Sequence, residues 1–234
     1  MKVVTARKLV RIIVNFIFNS AGFEIVRKGW EPKRLRKNFQ IKTLIDIGIG
    51  AGTPDLYKAF PGAKLLLVDP SEDSWPSMDT ILRQREGVAA KIGAGSKNTT
   101  QDFRSYLDGP GSSSFIFRKE HQDRSVNIIS VDIKTLDSIV ESSKLPSPFG
   151  LKIDVEGFEL EVLKGAERLL DQTEFVLFES QIESIEPRPY SQGEIIKFLE
   201  VRGFCLCDII WVSYDHSTLQ TKQADLLFRR VKSN

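Results

Sequence analysis

Cysteine and histidine are nearly missing from this 234-residue chain, with two of each. Cys205 and Cys207 stand two apart in an apolar run, a spacing that rarely makes a good disulfide. They are expected as buried thiols of a reducing compartment. Neither CxxC nor HxxxH occurs, which leaves little room for a structural zinc site. No apolar run reaches the roughly 20 residues that a membrane span needs. The longest, residues 9–18, is interrupted by Arg11 and Asn15 and does not lead into a small-residue cleavage site. A cytoplasmic protein without a signal peptide is therefore expected.

What is present is the composition of a globular domain, 41% hydrophobic and 27% charged, of a size that suits one α/β unit. The net charge of +2 conceals a split, because residues 1–42 hold 11 Lys/Arg against 2 Asp/Glu. A basic arm thus precedes an acidic body. Within the arm, Leu9, Ile12, Ile13, Phe16 and Ile17 follow the spacing of an amphipathic helix over 5–19. That helix either covers the domain or, with Arg7, Lys8, Arg11 and the basic cluster at 33–37, makes a peripheral membrane contact through residues 5–38.

From residue 43 the pattern becomes strands alternating with helices. Short apolar runs at 43–48, 64–69, 87–94, 126–133, 149–155, 174–180, 204–212 and 224–230 predict strands. Helices are predicted at 54–60, 72–85, 135–142, 158–170 and 191–203, and the polar stretch 96–125 reads as a loop or hairpin insertion. This alternation predicts a mostly parallel sheet covered by helices on both faces.

The first strand ends in Asp46-Ile-Gly48-Ile-Gly50-Ala-Gly52-Thr53. Glycines there let a ligand approach the backbone, but the spacing is not the GxGxxG of a dinucleotide site. An aspartate at such a turn suits a cationic or amino-bearing ligand, such as the aminoacyl part of S-adenosylmethionine. Asp69 ends the second strand, where a carboxylate can accept both ribose hydroxyls of an adenosine, or alternatively cap the next helix. Asp154 and Glu156 end the strand at 149–155, and Glu179 ends the next one on the same rim. Ligands bind outside the carboxyl ends of such strands, so these acids are candidates for deprotonating an acceptor hydroxyl. Helix capping is the other role open to Asp154. Lys152 is expected to pair with one of these acids. The three carboxylates could also hold a hard cation such as Mg2+. In the polar insertion, His121 is a candidate base or acceptor contact, or else an ordinary exposed loop residue, and Ser112–Ser114, Ser113 among them, are candidate acceptor contacts, or else simply flexible.

The block KIDVEGFELEVLKGAERLL at 152–170 resembles the signature of the FkbM-type methyltransferases. So does the surrounding order: the glycine turn at 46–52, Asp69-Pro70, GAGSKN after the third strand, Thr135-Leu136-Asp137, Glu179 and a closing DLLF strand. The turn reads DIGIGAG where that family more often has DxGANxG, so contacts of an Asn side chain are not implied. The resemblance covers residues 43–230. It implies a Rossmann-like class I methyltransferase fold, with a mostly parallel seven-stranded sheet and residues 1–42 as a helical extension before a domain at 43–234. It further implies S-adenosylmethionine as cofactor, held by Asp46, Gly48, Gly50, Gly52, Thr53, Asp69, Gly93 and Ala94. The implied reaction is O-methylation of a sugar in a glycan, polysaccharide or glycosylated metabolite, with a non-sugar acceptor as the alternative. A nucleic-acid acceptor is not expected, because no NPPY-like or DPPY-like tetrapeptide follows the acidic strand. A different class, the NAD-dependent oxidoreductases, shares a glycine turn and an acidic strand end, but Asp46 and the glycine spacing disfavour it.

Overall fold

The computed structural model describes residues 32–106, 113–116, 123, 125–182, 189–215 and 217–231. The helix expected at 5–19 and His121 lie outside them. Helix α1 (Pro32–Asn38) leads into β1 (Thr43–Ile47), all five residues of which are buried. Only a strand covered on both faces can be buried so continuously. α2 (Pro54–Ala59) and β2 (Lys64–Val68) follow. A 3-10 turn at Glu72–Ser74 precedes α3 (Trp75–Leu82), and β3 (Gly87–Ala90) comes next. After three more strands, considered below, come α4 (Leu136–Ser143) and β7 (Phe149–Ile153), again buried throughout. The chain closes with β8 (Thr173–Gln181), α7 (Gln192–Glu200), β9 (Phe204–Tyr214) and β10 (Thr221–Arg230).

The seven-stranded sheet runs β3-β2-β1-β7-β8-β10-β9, and β10 is antiparallel to both its neighbours while the other pairs are parallel. The chain therefore travels outward from β1 and then returns to β7 on its other side. That reversal opens a crevice at the carboxyl ends of β1 and β7, where ligands of open parallel sheets bind. One face of the sheet packs Leu136, Leu163, Leu169 and Leu199 against Ile45, Leu151 and Phe178. The other packs Leu35, Phe39, Leu56 and Met78 against Leu44, Leu65 and Phe175. Leu35 and Phe39, ahead of β1, thus belong to the domain core.

Several local expectations are corrected. The strand at 126–133 does not join the main sheet. β6 (Val126–Lys134) pairs with β5 (Thr99–Tyr106) and β4 (Gly93–Ala94) in a separate three-stranded sheet. The polar stretch after residue 95 therefore contains a strand, because residues 99–106 find an antiparallel partner that their own composition does not advertise. The helix expected over 158–170 is two short ones, α5 (Glu159–Lys164) and α6 (Glu167–Leu170). The break falls at Gly165, where a Cβ would stand 2.0 Å from the Gly95 carbonyl oxygen. Both cysteines are exposed, not buried, because β9 is the edge of the sheet. Among the described residues, no helix is long and apolar enough to cross a membrane.

Candidate active site

The turn after β1 is pressed onto the end of β7. Gly48 has φ +71°, and a Cβ there would stand 1.7 Å from the Asp154 carbonyl oxygen, so no side chain fits. Its N–H donates to Val68 O at 2.9 Å, while Asp154 N–H donates to Ile47 O at 2.9 Å. The ends of β1, β2 and β7 are thereby stitched together around a cavity of about 230 Å3. Its walls are the turn at 48–51, the stretch at 68–71 with Ser74, the acidic turn at 154–156, and Ile92, Ala94, Phe103, Ser113 and Phe115. The last three come from the small sheet and from residues 113–116, which contribute one part of the wall.

Asp69 stands on the cavity wall and is only 5% exposed. Its Oδ2 accepts from Gly50 N at 3.1 Å and its Oδ1 from Ser71 N at 2.9 Å. Burial pushes this carboxyl up from the ordinary range, and those two N–H donors partly offset the push. A carboxylate has about four acceptor positions, and the Ser74 side chain takes a third, so about one remains for a ligand. Asp69 is not the cap of the following helical turns, whose N-caps are Ser71 and Ser74. Ser71, also on the wall and 4% exposed, has a hydroxyl oxygen with no hydrogen-bond partner in the protein. A buried polar atom left unpaired in this way is costly unless a ligand satisfies it.

Asp46 is a correction. It was expected to meet the ligand directly, but it is fully buried and turned inward. Its Oδ2 accepts from Tyr57 OH at 2.5 Å and Thr53 Oγ1 at 3.2 Å, and Lys152 Nζ lies 3.1 Å from Oδ1. Thr53 is occupied with the same carboxylate, and it, Gly52 and Gly93 do not line the cavity. Lys152 also reaches Asp154 Oδ2 at 3.3 Å, as its pairing with an acid had suggested. Burial alone would push the Lys152 ammonium down, but Asp46 and Asp154 outweigh it and hold it above the usual lysine range.

The three acids at the strand ends converge. One carboxylate oxygen from each of Asp154, Glu156 and Glu179 lies within 4.8 Å of the others, and all three side chains are half-buried. Burial, then the charges of Asp154 and Glu156, push Glu179 up to about 8. Asp154 does not cap the following helix, whose N-cap is Phe158.

Glutamines from neighbouring strands hold the two glutamates. Gln181 Nε2 donates to Glu156 Oε2 at 3.1 Å, and Gln223 Nε2 donates to Glu179 Oε1 at 2.9 Å. Glu156 itself sits at φ +54°, and Ser114 Oγ donates to its carbonyl at 2.8 Å. Behind the turn, Tyr190 OH donates to Gly157 O at 2.5 Å and accepts from Leu160 N at 3.1 Å. Sequence reasoning missed these supports. Strand alternation could have found Gln181, two residues beyond Glu179, but nothing in the serine run at 112–114 shows that Ser114 braces the Glu156 turn.

The model of the methyltransferase FkbM domain matches residues 36–206. A 52-residue stretch is 50% identical to hexuronic acid methyltransferase AglP of Haloferax volcanii, covering 21% of this chain and 22% of that protein. The shared stretch thus spans about a fifth of that relative's length. Among solved structures, magnesium protoporphyrin IX methyltransferase (ChlM) from Synechocystis PCC 6803 with bound SAM is 11% identical at a TM-score of 0.44, covering 99% of this chain and 86% of that one. TehB from Haemophilus influenzae is 10% identical at 0.45, covering 86% and 61%. Likenesses this distant decide nothing about activity. The domain match, by contrast, spans well over half of the chain and includes the glycine turn and all three converging acids, and by it the chain is a methyltransferase of the FkbM family.

Proposed function

We propose that the protein transfers the methyl group of S-adenosylmethionine to a hydroxyl oxygen of a sugar, within a glycan, polysaccharide or glycosylated metabolite. The observation that carries this is the meeting of two half-sites at one crevice: the Asp69-braced glycine turn on one side and three carboxylates on the other. Asp69, Gly48, Gly50 and Ala94 suit the adenosine end of the cofactor. At the other end, an acceptor hydroxyl needs a base as it attacks the methyl carbon. Asp154, with Glu156 beside it, is the group assigned to take that proton, and Glu179, raised to about 8, is the second candidate base in the same cluster. The stretch shared with AglP supports a sugar acid as the first acceptor to try. Ser113 stands on the cavity wall as a candidate acceptor contact.

The test is release of S-adenosylhomocysteine with a panel of hexuronic acids, neutral sugars and glycans. Asp154→Asn keeps the shape but cannot take a proton, and is expected to lower turnover about 10²–10⁴-fold. Its melting temperature and its affinity for S-adenosylhomocysteine are expected to change little. Turnover close to wild type would take Asp154 out of the chemistry.

The same three oxygens suit a second reading, a divalent cation such as Mg2+, because hard cations take clustered carboxylates. Activity that disappears with EDTA and returns with Mg2+ would make these residues metal ligands; activity unaffected by EDTA would remove the ion. The basic stretch at 5–38 supports peripheral contact between a cytoplasmic enzyme and anionic membranes, although Leu35 within it is committed to the core. Co-sedimentation with anionic vesicles, falling steeply between low and physiological salt, would test that contact.

A further inference from the structure

We propose that the cavity distinguishes its cofactor by charge, holding the sulfonium form, S-adenosylmethionine, more tightly than the neutral thioether, S-adenosylhomocysteine, that the reaction leaves behind. This rests on the cofactor assignment above and goes beyond it.

The charged groups among the described lining residues are all acids: Asp69, Asp154 and Glu156. Glu179 is a fourth carboxyl group within 4.8 Å of the last two, and because it is raised to about 8 it adds little charge at pH 7. Among the described residues, the cation paired with the lining acid Asp154 is Lys152, which is shared with the fully buried Asp46 and does not line the cavity. One positive charge is thus divided between two acids, and the wall stays negative. Phe115 lines the same space, set edge-on to Phe103 at 4.9 Å and tilted against Phe158 at 5.1 Å. Aromatic rings attract onium groups, and in a partly dehydrated cavity both attractions are stronger than in water. The unpaired Ser71 hydroxyl on the same wall marks the space as built for a ligand.

The charge balance of the transfer gives this wall a purpose. The acceptor oxygen bonds to the methyl carbon as the carbon–sulfur bond breaks, and that electron pair stays on sulfur. The sulfonium becomes a neutral thioether. The hydroxyl proton passes to one carboxylate of the cluster, which also becomes neutral. Both partners of the attraction disappear in the same step, so the product is released from a site that had gripped the substrate.

Calorimetry at pH 7 with EDTA tests this without an acceptor. The ligands are S-adenosylmethionine, S-adenosylhomocysteine and sinefungin, whose ammonium stands where the sulfonium would. Both cations are expected to bind about tenfold or more tightly than S-adenosylhomocysteine. In Glu156→Gln, and separately in Phe115→Leu, the gap is expected to shrink at least threefold, with S-adenosylhomocysteine affinity nearly constant. Equal or tighter binding of S-adenosylhomocysteine would overturn the proposal and leave the cofactor assignment standing, as would a gap that survives both substitutions. Failure of all three ligands to bind would overturn the cofactor assignment, and the proposal with it.

Discussion

Gly48 lies so close to Asp154 that a single added carbon would overlap the Asp154 carbonyl oxygen, at 1.7 Å. The glycine turn that lines the cavity and the strand end that carries the acids are therefore one packed unit. Gly48→Ala adds this overlap to the cost of a positive φ, which is about 1–2 kcal/mol on its own. Gly50, at φ +50°, has nothing within 4 Å of its missing Cβ. Gly50→Ala is expected to cost the φ penalty and no more. Thermal denaturation of the two variants checks this. A loss no larger for Gly48→Ala than for Gly50→Ala would mean that the turn is loose.

Asp69 braces Gly50 and Ser71, and in the proposed cofactor site it also meets the ribose. Asp69→Ala removes charge-assisted hydrogen bonds, each on the order of 1.5–3 kcal/mol. Affinity for S-adenosylhomocysteine, read by calorimetry, is expected to fall at least about 30-fold. An unchanged dissociation constant would end the ribose assignment.

Lys152 neutralises an acid that water cannot reach. Its substitution by Met strands the Asp46 carboxylate, fully buried, with only hydroxyl donors. Breaking a buried pair from one side costs about 3–5 kcal/mol. Chemical denaturation is expected to show that loss in Lys152→Met and a smaller one in Lys152→Met/Asp46→Asn. If the double variant lost the sum of the two single effects, the pair would not be coupled.

Glu179 makes stability depend on pH in a defined direction. Its carboxyl ionises near 4.5 in an unfolded chain and near 8 in the folded protein. Between those values the folded state holds the extra proton, so this group's contribution to stability falls as pH rises. Glu179→Gln removes that penalty. Without divalent metal, its melting temperature is expected to exceed the wild-type value by several degrees at pH 8, at about 2–4 °C per kcal/mol. The difference is expected to vanish near pH 4.5. A constant difference across this window would show that the acids are not crowded in solution.

The main sheet was legible because its central strands are continuous apolar runs, and Asp46, Asp69, Asp154 and Glu179 mark where those runs stop. Sequence order also placed the acids correctly on one rim. What the sequence hid was direction and partnership. Asp46 and Asp69 look alike at strand ends, yet one turns into the core and the other onto the cavity wall. That choice is made by Tyr57 and Lys152, 11 and 106 residues from Asp46, through contacts that no local pattern encodes. Likewise, the alternation of residues 126–133 announces a strand but not its sheet. Its partner, residues 99–106, is polar, and pairing between such segments is set by tertiary context.

The bond from Ser114 to the Glu156 carbonyl, with Phe115 packed on Phe158, joins the inserted sheet to the turn that carries an acid. The inserted piece of chain is therefore anchored directly in the acidic turn at the end of β7. An exchange of this insertion between relatives would not be modular. A graft that kept new loop sequences but lost Ser114 or Phe115 would release Glu156 from its αL position. Diversification of this scaffold is thus easiest in the sequence on either side of residues 113–116, with those four residues retained as a fixed hinge pin.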